Sequence, residues 1–453
     1  MASDQAVTAA EPDAAPEEPK GGVLTNRDFR KLFVGESVSL MGTFITGVAM
    51  PLTAVLTLHA TVFEVGLLNV FRLSPVIVVA LFAGVWLDRV KRRPVLICCS
   101  LGCAASIGLV PIAHTFGFLS LGVLYVAVAV AGALNVIFDV GALSYVPSLV
   151  EKRHLLEANG KMQATRATGA IAGPAIAGLL IGLITAPATL SADAISYLCS
   201  AAGLSLIRKP EPAPEVPAHR PPLRQQLAEG FRAVYSGKLV RSLLTISAAL
   251  NLGFGAFWTI FLVYAVEVLK LSPFKLGIVI SAAAVGALLA ALNSHRLREA
   301  FGYGQVMIYG VIGMSTVLLL LLIPRNADLT SMIILSIGQF VYGACITNFN
   351  VNAITLRQMI TPKRLLARMN ATYRLLIFGV PPLGALAGGL LGSAIGLRNA
   401  LLISLLAMTT PLLWLPTSPI FRVKEMPTAP PEDTEPAAAP AAAAATAKEG
   451  ADD

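Results

Sequence analysis

Long apolar runs alternate along this chain with short polar loops, and each run is about the 20 residues needed to cross ~30 Å of hydrocarbon. Twelve can be marked off, near 30–57, 62–86, 94–113, 119–144, 162–184, 188–207, 241–265, 274–294, 305–323, 329–353, 371–394 and 398–416. The pattern predicts an all-α, polytopic membrane protein of twelve transmembrane helices. Residues 1–26 and 417–453 are Pro/Ala-rich with scattered acids and are expected to be disordered tails. The first of them lacks a basic start and an apolar core, so no signal peptide is expected there.

Residues 208–240 divide the runs into 27–207 and 241–416. The divider begins Pro-rich and then turns amphipathic, with Leu223, Leu227, Phe231, Val234 and Tyr235 on one helical face. It predicts a helix lying on the inner membrane surface. The two halves repeat one design. Leu149–Asn159 aligns with Met359–Asn370 after one insertion, and Val65-Gly66 matches Leu276-Gly277 at an offset of 276 − 65 = 211. Six spans repeated once are the mark of two pseudo-symmetric bundles that rock about a midplane site.

Composition agrees with a bilayer: 55% hydrophobic and 13% charged residues, with a mean hydropathy of +0.72. A net charge of +8 does not point to nucleic acid, because the cations sit in alternate loops. Arg89–Arg93, Lys152–Lys161, the central linker, Arg296–Arg298 and Arg357–Arg368 are rich in them, whereas loops 58–62, 114–117 and 185–189 have none. The positive-inside rule therefore puts both tails in the cytoplasm and the chain in the cell membrane. The five cysteines fall within the runs in no metal-like or disulfide-like spacing and read as small packing residues.

Gly169, Gly173, Gly178 and Gly182 leave one helical stripe without side chains, allowing another helix to approach backbone to backbone. Gly384, Gly388, Gly392 and Gly396 do the same in the repeat-mate run. The segment Gly169-x3-Gly173-Pro174-x2-Ala177-Gly178 resembles the fifth-helix antiporter motif of proton-coupled drug exporters in the major facilitator superfamily, with Ala177 in place of a usual glycine. Gly84-x3-Asp88-Arg89-x2-Arg92-Arg93 resembles that superfamily's signature loop, with Lys91 replacing a glycine. The start, Asp28-Phe29-Arg30-x-Leu32-Phe33-x-Gly35-Glu36, looks like the enterobactin-exporter-like branch, as do Asp193-Ala194-Ile195-Ser196-Tyr197 and Leu356-Arg357-Gln358. The resemblance implies the major facilitator fold and a seam between bundles formed by the fifth and eleventh helices. It also implies a cytoplasmic gate in which Asp88 faces a helix N-terminus, an arrangement that stabilises a carboxylate by about 0.3–1 kcal/mol.

Ionisable groups at helix centres cost ~2.5–3.5 kcal/mol, so each calls for a reason. Glu36 is the first proton-coupling candidate and Asp139 the second. Arg72 is close enough in height to pair with Glu36 and stands in for an arginine that drug antiporters carry in span 4. Arg166 reads as an interfacial anchor, and Asp193 as one member of a structural pair. All of these lie in the first half. The second half offers Asn251, Phe254, Trp258, Gln339, Asn348 and Asn352 as an apolar, amide-lined substrate wall.

The resulting expectation is a secondary active transporter, a monomer in the bilayer that exports an amphipathic or lipophilic small molecule (drug, antibiotic or siderophore) in exchange for protons. A proton gradient replaces any cofactor. No metal-ligand cluster, phosphate loop or Ser/His/Asp set points to an enzyme. The alternatives are a lipid, lysophospholipid or metabolite carrier of the same fold, and a non-transporting scaffold or sensor.

Overall fold

The computed structural model describes residues 22–87, 89–211 and 223–422, and no strand occurs among them. The first half comprises α1 (Arg27–Leu58), α2 (Val62–Leu87), α3 (Arg92–Thr115), α4 (Leu121–Leu149), α5 (Leu155–Leu183) and α6 (Ala186–Ser205). A short α7 (Leu223–Ser236) leads to α8 (Lys238–Glu267), α9 (Pro273–Phe301), α10 (Tyr303–Thr316), α11 (Leu329–Ile360), α12 (Lys363–Phe378), α13 (Val380–Ile395), α14 (Leu397–Thr409) and the single turn α15 (Pro411–Trp414). α12 and α13 form one span interrupted at Gly379, just before Pro381 and Pro382, whose rings cannot continue the hydrogen-bond ladder. Ten helical stretches are long and apolar enough to cross a membrane. The other two long helices are α2 and α6, and α6 carries Thr189, Asp193, Ser196 and Ser200 buried along it.

Helix ends follow local chemistry. Asn26 caps α1 by accepting from the N–H groups of Asp28 and Phe29 at 3.0 and 3.1 Å. Asp328 caps α11 by accepting from the N–H of Ser331 at 2.8 Å. The hydrogen bonds from Ser331 hold the Asp328 carboxyl below the usual carboxylate range. Gly302 and Gly396 turn the chain into α10 and α14 with φ of 78° and 79°, where a side chain would be strained.

Within the first half α1 packs on α5 and α6, α3 on α4 and α6, and α2 on α4. In the second, α8 packs on α13 and α14, and α11 on α9 and α10. The halves meet chiefly through α5 with α9 and α2 with α13. These seams lie toward the face whose loops are poor in cations. Gly178 abuts the backbone of Pro273 and Phe274, and Gly277 abuts the Pro174 carbonyl. A Cβ on Gly66 would stand 2.7 Å from the Ala385 carbonyl oxygen, and one on Gly389 would stand 2.9 Å from Phe63 Cα. That face is sealed. Toward the cation-rich face, Asp139 on α4 and Arg166 on α5 have side chains 59% and 51% exposed, so the space between the halves is open there.

The expected single stripes divide. Gly169 and Gly173 receive Phe44 of α1, in their own bundle, and only Gly178 serves the seam; Gly182 touches nothing within 4 Å. Gly384 and Gly388 meet α8 in their own bundle, while Gly389 and Gly392 meet α2. Gly396 lies past the end of α13. A helix inside a bundle has close neighbours on two sides, and a four-residue stripe drifts from one to the other.

α7 forms as expected but docks on protein. Val234 is fully buried with Met369, Tyr373, Val240 and Leu244. Gly230 sits against Thr372 and Arg368 of α12, and Arg368 pairs with Glu229. Phe231 and Tyr235 stack on each other and remain outside, so the amphipathic face is shared between α12 and the surroundings. The start of the linker is tied to the other bundle. The N–H groups of Arg208 and Lys209 donate to Asp28 at 3.3 and 3.0 Å.

Candidate functional site

Four charged side chains gather at the open end of the space between the bundles. Glu36 of α1 is only 6% exposed, and its Oε2 has no hydrogen-bond partner. Asp139 of α4 and Arg166 of α5 pair at 3.7 Å, close enough to Glu36 for both charges to act on it. Arg374 of α12, in the opposite bundle, is near enough to act on Asp139. Two carboxylates and two arginines, drawn from both halves, thus lie within electrostatic reach of one another.

Arg374 escaped the sequence reading, which confined intramembrane charge to the first half. The repeat carried a signal for it: Arg166 lies eleven residues beyond Leu155 at the start of α5, and Arg374 eleven beyond Lys363 at the start of α12. Arg357, read as a loop cation, is a second omission. It lies inside α11, 6% exposed, with its guanidinium 3.6 Å from the centre of the Tyr373 ring. Stacking on an aromatic face and on a neighbouring helix lets a buried cation survive without a carboxylate.

Arg72 does not pair with Glu36. Glu36 stands nine residues from the start of α1 and Arg72 fifteen from the end of α2, which separates them by about 9 Å along the bundle axis. An α2 polar side chain that crosses the seam is Asn69, whose Nδ2 donates to Thr259 Oγ1 of α8 at 3.2 Å.

Of the signature loop, Asp88 and the surroundings of Gly84 lie outside the described residues. Arg89 is exposed. Arg92 and Arg93 work within the first bundle: their N–H groups donate to Glu211 at 2.7 and 3.0 Å, placing an acid at the N-terminus of α3. The Arg93 side chain donates to the carbonyls of Leu204 and Ser205 at the end of α6. Of the antiporter motif, Gly169, Gly173, Pro174 and Gly178 are all buried.

In the second bundle Phe254 stacks on Tyr342 at 5.4 Å and on Trp258 at 5.9 Å, joining α8 to α11. Asn251 spends a donor on Ser247 of its own helix at 2.8 Å. Gln339 is 2% exposed, and its Nε2 has no partner. Asn348 and Asn352 are less well placed. Asn352 Nδ2 donates to the Asn348 carbonyl at 2.8 Å, and Asn352 lies two turns beyond Cys345, which abuts Gly310 and Gly313 of α10. Asn350 is exposed and lies three turns beyond Gln339 on α11.

A family model described as transmembrane secretion effector matches residues 22–447. The chain is 26% identical to the multidrug efflux pump Tap of Mycolicibacterium fortuitum, across 85% of this chain and 93% of Tap. It is 25% identical to the enterobactin exporter EntS of Shigella flexneri, across 85% of this chain and 87% of EntS. Among solved structures, a bacterial homologue of the iron transporter ferroportin in its inward-facing state is similar with a TM-score of 0.68 at 16% identity, over 88% of this chain and 99% of that one. The outward-facing state of such a homologue gives 0.57 at 16% identity, over 86% and 98%.

Proposed function

The chain belongs to the transmembrane secretion effector family of major facilitator transporters, and from that premise we propose that it exports an amphipathic small molecule in exchange for protons. The observation that carries the coupling is the buried, half-satisfied Glu36 beside the Asp139–Arg166 pair. An ionised carboxylate in so dry a place lacks hydrogen bonds that a proton makes unnecessary. A state in which water or Arg166 reaches Glu36 favours the ionised form. Alternation between such a state and the dry surroundings described here therefore loads and unloads one proton per cycle. Cargo enters through the open end, against the aromatic wall around Phe254, and leaves when the seam on the other face parts.

The sidedness rests on the loop cations: the open face is cytoplasmic, both tails lie there, and the structure is the inward-open state. The relatives' printed activities, multidrug efflux and enterobactin export, support the outward direction. The test is accumulation of lipophilic drugs and siderophores in cells with and without the protein, with and without a protonophore. Expression should lower accumulation, and the protonophore should restore it. Unchanged accumulation across such compounds defeats export. For coupling, substrate-induced proton release by the purified protein should vanish in Glu36→Gln. Survival there with loss in Asp139→Asn would move the proton to Asp139.

A further inference from the structure

The chemical class of the cargo can be read from the top of the cavity. Three contacts orient α2. Gly66 abuts Ala385 of α13, Asn69 reaches Thr259 of α8, and Phe71 stacks on Tyr125 of α4 at 5.1 Å. At 3.6 residues per turn, Arg72 points between the Asn69 and Phe71 directions, about 60° from the former and on the side away from α13. That side is the groove between α4, whose Gly132 abuts the Arg72 backbone, and α8 of the other bundle. On the same inner side Leu68 and Val65, one and two turns nearer the seal, are 3% and 0% exposed. Arg72 is exposed. It is therefore where the sealed end stops and the cavity begins.

The Asn69–Thr259 bond also sets the level of α8 against α2. Arg72 is three residues, about 4.5 Å, below Asn69, which puts it between the levels of Trp258 and Phe254 across the gap. No carboxylate among the described residues pairs with it. The cavity below adds Arg166 and Arg374 against Asp139 and Glu36, so three arginines face two acids, and protonating Glu36 leaves one. A low-dielectric cleft with that imbalance concentrates anions.

We propose that the cargo is an organic anion with an aromatic body, Arg72 receiving the acidic group and Phe254 with Trp258 the body. This deepens the exporter reading and rests on it. The arginine supplies the attraction that a drug-like cation would not find, and the stacked rings supply apolar area.

Equilibrium dialysis of the full-length purified protein tests the assignment, with empty micelles as blank. The probes are 2-naphthoate, salicylate and 1-anilinonaphthalene-8-sulfonate, each beside its uncharged counterpart: 2-naphthamide, salicylamide and N-phenyl-1-naphthylamine. The acids should bind about 10-fold or more tighter than the neutral partners, the scale of a charge-assisted hydrogen bond. Arg72→Gln should abolish the preference and Arg72→Lys should keep most of it. Equal binding of acid and neutral partner by the unaltered protein, absence of acid binding, or a preference that survives in Arg72→Gln overturns the proposal. Those results leave export untouched, since accumulation in cells reads it separately; unchanged accumulation with acid preference intact sinks export alone.

Discussion

At the scale of single residues, the first bundle keeps two buried acids in opposite circumstances. Glu36 has a carboxylate oxygen without a partner. Asp193 of α6, 1% exposed, accepts from Thr46 Oγ1 at 2.5 Å and from Ser196 Oγ at 3.1 Å. A satisfied acid at a helix–helix contact holds structure, whereas a half-satisfied one beside an open cavity is available for exchange. Asp193→Ala should lower stability by about 1–3 kcal/mol, through the hydroxyls it strands. Gly42→Ala should do likewise, because its Cβ would overlap Ser196 and Asp193. Thermal unfolding in detergent checks both, and normal stability in either removes the structural role. The sequence exposed Asp193 as one member of a structural pair, and the structure supplies hydroxyls as its partners. Thr46 and Ser196 looked like ordinary residues of apolar helices, so nothing local marked them.

At the scale of elements, the glycine pattern shows how far periodicity reaches. Spacing announced that α5 and the α12–α13 span each bear a bare stripe, and both do. Spacing could not say which neighbour fills it, since that depends on the tilt and drift of helices in a bundle. Gly178→Ala puts a methyl group into the Pro273–Phe274 backbone and Gly277→Ala puts one into the Pro174 carbonyl. Each should pry the sealed face open. With the native cysteines replaced and Val65→Cys added, an impermeant thiol reagent on the cation-poor side should label severalfold faster in these variants. Unchanged labelling would mean that the seam does not close that face. The linker was half legible: amphipathicity gave the helix, but the Gly230 notch that admits Thr372 became apparent only when α7 met α12. Val234→Asp should undock α7 and hasten its proteolysis; unaltered cleavage contradicts the docking.

At the scale of the whole molecule, twelve apolar runs and an offset repeat disclosed the two-bundle plan, because bilayer thickness constrains length so strongly. Charge in the second half was harder to see: Arg374 lies unremarked inside the eleventh run, and the end of the tenth run left Arg357 among the loop cations. Rocking that closes the open end should bring Arg374 onto Asp139. Arg374→Glu should therefore lower transport and leave the cation-rich side reactive to thiol reagents, and adding Asp139→Arg should recover part of both. No recovery in the double variant would separate the two residues. The two ends of the cavity are built from different forces. The seam on the cation-poor face rests on backbone lying against backbone, with no ion pair crossing it among the described residues. The opposite end is electrostatic. If that end meets the cytoplasm, the molecule has put its salt- and acid-sensitive contacts in the compartment whose composition the cell regulates. Brine in the surroundings would then find no ion pair across the outer lid to screen among the described residues.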